Sequence, residues 1–394
     1  MVRRYNLPTP LLVLAAGLAA VGLAFVRWVA PSAWNFVDLV DFVQGGRSVL
    51  DGGDVYGVYP GVLPFNYPPF GAIACVPLGL LGLAASKIAM TVLSGASYLV
   101  IVWVSVWRSS DTSTPGGKWT WSAVLLVLGL ALEPVQRTLM FGQVNLLLAA
   151  LVLLDVFVVP ARWRGILVGL AAGVKLTPAI FGLYFLIRRD FGAAVRSLGS
   201  GVATLGLGWL VLPAASHEYW LGFDKLSRFG SDALAPANQS LRACWVRLFG
   251  GNPGIAYPIS VVAILILAIW AAWRLERSSE RLAAVSVVAV AGLLISPVSW
   301  THHWVWVVPV IVVMGRRRWL LALSMVVMGM FLPLTWGVSG DPLELGPVQQ
   351  VLASSYVLLG IAYLVAIALT TRRRTAARQA GAQSPRELEH LGAG

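Results

Sequence analysis

Apolar stretches of about twenty residues, separated by short polar segments, recur along the whole chain. A helix of that length crosses a hydrocarbon core, so the pattern predicts membrane-spanning helices. They fall near 9–30, 84–107, 119–133, 144–160, 191–213, 255–273, 282–297, 303–314, 319–336 and 348–370. Two stretches resist a single crossing. Phe70–Leu83 is apolar but short and holds Pro77 and Gly79, and is read as a dip that enters the membrane and returns. The segment 165–187 has arginines at both ends and Lys175, Thr177 and Pro178 between them. Two half-helices with a break at Lys175–Pro178 keep both basic ends on one side, and proline favours that break because it cannot complete the helical ladder. The expectation is an all-α integral membrane bundle of about twelve spanning or partly spanning helices. The longest polar stretches, 31–69 and 214–254, also contain aromatic and apolar residues. Residues 1–372 therefore read as one membrane domain with loops, followed by a basic tail, 373–394, without a fold of its own.

Composition supports this reading. The chain is 58% hydrophobic and 12% charged, where a soluble domain carries about a quarter charged residues. The net charge of +12 raises the question of nucleic acid, and its distribution answers it. Basic residues sit in short clusters between apolar runs, such as Arg3–Arg4, Arg162/Arg164, Arg188–Arg189, Arg316–Arg318 and Arg372–Arg374. That is the positive-inside pattern, with anionic membrane lipid as the partner and no nucleic acid. It puts both termini in the cytoplasm and the loops 31–69 and 214–254 outside, in a multi-pass protein of the plasma membrane. Leu11–Val26 runs on through Arg27 and Trp28 without a small-residue cleavage site, which suggests an uncleaved first helix. Cys75 and Cys244 form neither a metal-ligand spacing nor a disulfide framework.

With the chain threaded this way, the unusual polar clusters all reach the external side. Ionisable groups at membrane depth are costly and mark functional cavities. Asp38, in Asn35-Phe36-Val37-Asp38, is either a helix cap or solvated loop acid, or a general base whose proton affinity partial burial raises. Tyr67, within Phe65–Phe70, belongs to a rigid turn or to the wall of a sugar or lipid site. Glu133 and Arg137 form an internal pair, or Arg137 binds phosphate with its two-pronged donors while Glu133, Gln143 and Asn145 contact sugar hydroxyls. Lys175 at the helix break snorkels or binds a phosphate. Arg242 is a further phosphate candidate. Asn238 and Gln239 are candidates for sugar contact. In Ser296–Trp304 adjacent histidines suit a shared metal poorly, since helical neighbours point about 100° apart. His302 or His303 instead donates to a phosphate or sugar oxygen, and Trp300 stacks on a sugar face. No metal or other cofactor is expected.

Seven strings in order resemble the membrane glycosyltransferases of family 87, including polyprenol-phosphate-mannose-dependent mannosyltransferases. They are NFVDL at 35–39, F-x-YPPF at 65–70, LEPVQRT at 132–138, FGQVN at 141–145, GVKLTP at 173–178, NQS at 238–240 and SPVSWTHHWVW at 296–306. The resemblance implies a GT-C fold, a sugar donor on a polyprenyl phosphate and a glycolipid acceptor of the phosphatidylinositol mannoside or lipomannan type. It implies a catalytic base at Asp38 and a functional histidine at His302 or His303. The chain departs from the family after the aspartate, reading Leu39-Val40-Asp41-Phe42 where relatives often carry LHVY. Arabinose from a decaprenyl phosphate is the chemically equivalent alternative. A lipid-linked sugar flippase is the non-enzymatic one, though the matched polar breaks of two repeated halves are not seen.

Overall fold

A computed structural model of the protein describes residues 34–109, 114–222, 234–315, 318–335 and 343–370, with Gly22 and Ala30. Apart from those two residues, the expected first helix lies outside this set, as do Arg3–Arg4 and the basic tail. The described chain is helical. α1 (Val37–Asp51) precedes the short α2 (Pro69–Ala74) and the long α3 (Val76–Trp107). α4 (Pro115–Leu130), α5 (Glu133–Phe141), α6 (Asn145–Phe157), α7 (Ile166–Val174) and α8 (Ile180–Ile187) follow. Then come α9 (Phe191–Val211), α10 (Pro213–Leu221), α11 (Leu241–Leu248), α12 (Ala256–Arg277), α13 (Arg281–Ile295) and α14 (Val307–Met314). The last elements are α15 (Arg318–Gly329), α16 (Leu332–Thr335), α17 (Pro347–Ala353) and α18 (Ser355–Thr370).

Among the described residues α3, α9 and α12 are long and apolar enough to cross a membrane, and the bent pairs α4–α5 and α17–α18 bring the number to five. Their apolar outer faces, such as Leu198 and Ile266, are exposed. Residues 70–83, expected to dip, form α2 and the opening turns of α3, which kink at Gly82 (φ 71°). The break at Lys175–Pro178 is also present. α7 stops at Val174, Lys175 is extended, and a 3-10 turn, Thr177–Ala179, starts α8. At the far end of this hairpin Arg164 pairs with Asp190 at 3.0 Å. The buried Asp155 carboxylate accepts the Gly165 and Val168 N–H groups at 2.7 and 2.8 Å, which satisfies the N-terminus of α7.

Glycine sets two close approaches. Gly165, Gly169 and Gly173, four residues apart, face α9, and a Cβ on Gly169 would lie 2.8 Å from the Gly201 nitrogen. Gly79 meets α1 at Gly46 and Arg47 with the same tightness. Small residues at that spacing let backbones touch, so dispersion holds helices together where lipid removes the hydrophobic drive. A large core spans α3, α6, α8 and α12–α14, and a smaller one gathers under α1 and α2.

Candidate active site

The helix break puts a cation where no helix hydrogen bonds compete for its surroundings. Lys175 Nζ donates to Asn145 Oδ1 at 3.0 Å and lies 3.0 Å from His303 Nε2. An ammonium only donates, so His303 accepts through Nε2 and carries its proton on Nδ1. That Nδ1 is buried without a partner among the described residues. Asn145 opens α6, and its amide nitrogen donates to the His302 carbonyl at 3.1 Å, as does the Thr138 hydroxyl at 3.0 Å. These bonds fix the 3-10 turn Thr301–Trp306, which presents both histidines.

Arg137 stands on α5, one helical turn after Glu133. The Glu133 carboxylate is wholly buried. It pairs with Arg137 Nε at 3.3 Å and accepts the Thr301 and Tyr356 hydroxyls at 2.5 and 2.8 Å. The internal pair weighed from sequence therefore exists, and it ties the arginine to the histidine turn. Only Nε of Arg137 is engaged, so its two terminal amino groups have no partner among the described residues. The guanidinium lies 5.1 Å from the Phe141 ring centre.

Asp38 occupies the first turn of α1. Phe36 enters that helix in a left-handed conformation (φ 51°), which is strained for a non-glycine residue, and its N–H bonds to the Met140 carbonyl at 2.9 Å. Gly142 (φ 70°) lets the α5–α6 turn close onto α1. Burial pushes the Asp38 carboxyl above its ordinary range, while the Gln143 amide, Lys175 and Arg137 pull it back. Its Oδ2 is buried with no partner among the described residues. Tyr67 supports this corner: its hydroxyl accepts from Gln143 Nε2 at 3.0 Å, and Lys175 Nζ lies 5.3 Å from its ring centre. The structure thus brings together Asp38, Tyr67, Glu133, Arg137, Gln143, Asn145, Lys175, His302 and His303.

The other candidates stand apart. Asn238 and Gln239 are wholly buried. Asn238 Oδ1 accepts the Ser299 N–H at 3.0 Å, and its backbone bridges to Trp300. Gln239 Nε2 donates to Pro236 and Ala353 carbonyls at 2.6 and 2.5 Å, while Oε1 accepts the Tyr356 N–H at 3.0 Å. Their amides thereby fasten the histidine loop to α17–α18. Arg247, which sequence reasoning did not single out, completes this clasp from a buried position. It donates to the Ala235, Asn238 and Ala353 carbonyls at 3.1, 3.2 and 3.0 Å. Half-buried Trp300 sits beside the clasp. Arg242 lies on α11, where its charge acts on Tyr257; the cations acting on Asp38 are Lys175 and Arg137.

An apolar groove of about 800 Å³ is bounded by Phe70, Gly173, Leu176, Leu183, Val202 and Trp220; Gly173 and Leu176 flank Lys175 in the chain, and Lys175 itself is not in the lining. Sequence reasoning missed this groove, although the glycines at 165, 169 and 173 were its available signal. They draw α7 against α9, and these helices line two of its walls.

An acid under the charge of two cations, in a helical membrane protein that also carries an apolar groove, makes up the equipment of a membrane transferase working on lipid-borne substrates. Comparison gives the family: residues 65–297 match the family model described as Glycosyltransferase family 87, and the chain belongs to that family. A protein of Mycobacterium tuberculosis, named polyprenol-phosphate-mannose-dependent alpha-(1-2)-phosphatidylinositol mannoside mannosyltransferase, is 35% identical over 91% of this chain and 90% of its own. The Mycolicibacterium smegmatis protein of the same name is 33% identical over 91% and 89%. A second M. smegmatis protein, named for phosphatidylinositol pentamannoside, is 38% identical over 73% and 72%. No solved structure matches the chain.

Proposed function

We propose that this glycosyltransferase moves mannose from a polyprenyl-phosphate-mannose donor to a phosphatidylinositol mannoside or related lipoglycan. Transfer takes place on the external leaflet of the plasma membrane. The names of its relatives support the sugar, donor and acceptor. One observation carries the chemistry: Asp38 has an unpartnered buried oxygen and feels the charges of Lys175 and Arg137.

The reaction is a single displacement with inversion. Asp38 takes the proton of the acceptor hydroxyl as its oxygen attacks the anomeric carbon. The bond from that carbon to the phosphate oxygen breaks, and its electron pair leaves with the polyprenyl phosphate. Lys175, the terminal amino groups of Arg137 and a histidine N–H stabilise the growing phosphate charge. These cations serve in place of a metal. The polyprenyl tail lies in the groove, whose lining residues Gly173 and Leu176 flank Lys175 in the chain, and its phosphate reaches Lys175. Both termini face the cytoplasm, and about twelve helices enter the membrane.

The test is product formation by purified protein in lipid nanodiscs with labelled donor. Asp38→Asn should lower turnover by roughly 10²–10⁴-fold, because proton removal matters mainly in the transition state. Donor binding by the variant should stay unchanged. Turnover near wild type in Asp38→Asn would remove the base, and movement of donor without product would favour a flippase.

A further inference from the structure

One buried acid beside the site has no task in the chemistry above. Asp41 lies three residues after Asp38 on α1, so the two side chains neighbour each other on one helix face. It is 6% exposed and has no hydrogen-bond partner among the described residues. Asp38 Oδ2 is fully enclosed and unpartnered, the Asp41 oxygens are not fully enclosed, and a carboxyl without an internal hydrogen bond is open to one from a ligand hydroxyl. The Asp41 charge acts on Tyr67, and further aromatic rings lie along the same helix. Phe42 and Tyr67 meet edge to face at 5.1 Å, and Trp34 and Phe36 stand 5.8 Å apart at the head of the same helix. Two acids one helical turn apart, with the Tyr67 ring beside them, suit a sugar, whose hydroxyls bond to carboxyls and whose C–H faces lie on rings.

We infer that Asp41 is a specificity-determining residue that binds the acceptor sugar through the hydroxyl next to the one Asp38 activates. The inference rests on Asp38 as the base. Two carboxyls one turn apart then hold two neighbouring hydroxyls of a single hexose, and this fixes which of them points at the donor. No covalent step is assigned to Asp41.

The electrostatics fit this division of labour. Burial and the neighbouring Asp38 charge push Asp41 up to about 8. The groups around it are Asp38 on its own helix, Tyr67 from the loop before α2 and Cys75 between α2 and α3. Arg137 from α5 acts on Asp38, and Lys87 from α3 is turned to the Phe36 ring at 5.2 Å. Near neutral pH Asp41 therefore holds a proton, and a neutral carboxyl can both donate to and accept from a hydroxyl.

The experiment compares two synthetic phosphatidylinositol mannosides with purified full-length protein in nanodiscs. One carries an intact terminal mannose. The other lacks its 3-hydroxyl, the neighbour of the 2-hydroxyl used in an alpha-(1-2) transfer. Wild type should lose roughly 10- to 100-fold in kcat/KM on the deoxy acceptor. Asp41→Ala should show a similar loss on the intact acceptor and no further loss on the deoxy one. Asp41→Asn, which keeps the shape and a donor and acceptor, should recover part of the discrimination. Equal use of both acceptors by wild type, or undiminished discrimination by Asp41→Ala and Asp41→Asn, would overturn the assignment. Asp38→Asn is assayed alongside: turnover there removes the base, whereas loss of discrimination concerns Asp41 alone.

Discussion

At the residue scale the central fact is a carboxylate held between burial and two cations. As the proposed base Asp38 must be ionised to accept a proton, and burial raises its affinity for one while Lys175 and Arg137 lower it. The balance leaves the carboxyl above its ordinary range, so activity should fall as pH drops through that raised value. The sign of a perturbation follows. Replacing Lys175 removes a charge that favours the ionised form, so in Lys175→Met the acidic limb of kcat should move to higher pH. A kcat–pH profile of the two proteins checks this, and a limb that stays or moves to lower pH contradicts the geometry. Asp38, Arg137, Lys175 and the histidines were legible in the sequence because ionisable residues at membrane depth stand out against an apolar background. The work of Asn238 and Gln239 was not legible. A buried amide that clasps three backbones and one that bonds a sugar look alike in sequence, and only the partners, here Ser299, Ala353 and Tyr356, separate them.

At the element scale, the site depends on three interrupted helices: the left-handed start of α1, the turn between α5 and α6, and the Lys175 break. Gly142 couples the first two. With φ at 70°, a Cβ there would stand 2.7 Å from Leu39 Cβ and 3.2 Å from the Phe36 ring. Neither neighbour is the loose end of a long side chain. Gly142→Ala should therefore cost about 1–3 kcal/mol in stability and displace the first turn of α1, which carries Asp38. Thermal unfolding and turnover measured together check this, with kcat reduced even at temperatures where the variant stays folded. The Lys175 break could be read from sequence because a lysine and a proline interrupt an apolar run bounded by arginines. α1 and α5 were read as loops. Both carry mixed polar sequences such as VDLVDFVQGGRSVLD, and helices of that kind form through tertiary packing rather than through a membrane-length apolar signature.

At the scale of the whole molecule, the proposed function assigns the groove to the apolar tail of the donor and the polar cluster to its charged head. The glycine row at 165, 169 and 173 draws α7 onto α9, and the groove runs along this pair, with Gly173 and Leu176, the residues flanking the Lys175 break, in its lining. This arrangement separates tail binding from chemistry, and the separation can be measured. Gly201 lines the groove, and its nearest neighbour to an added Cβ is the Gly169 carbonyl at 3.9 Å, so a larger side chain there enters the cavity without breaking the helix contact. Gly201→Phe should raise KM for a long polyprenyl donor by about tenfold, equivalent to about 1.4 kcal/mol of lost tail burial. Its kcat should be nearly unchanged, because the tail binds equally in ground and transition states. A donor with a tail too short to reach Gly201 should show no change. Gly199 lies on the same helix with nothing within 4 Å of an added Cβ and is not part of the groove lining, so Gly199→Phe is the matched control. Equal effects of the two substitutions, or an effect of Gly201→Phe on the short donor, would place the tail elsewhere.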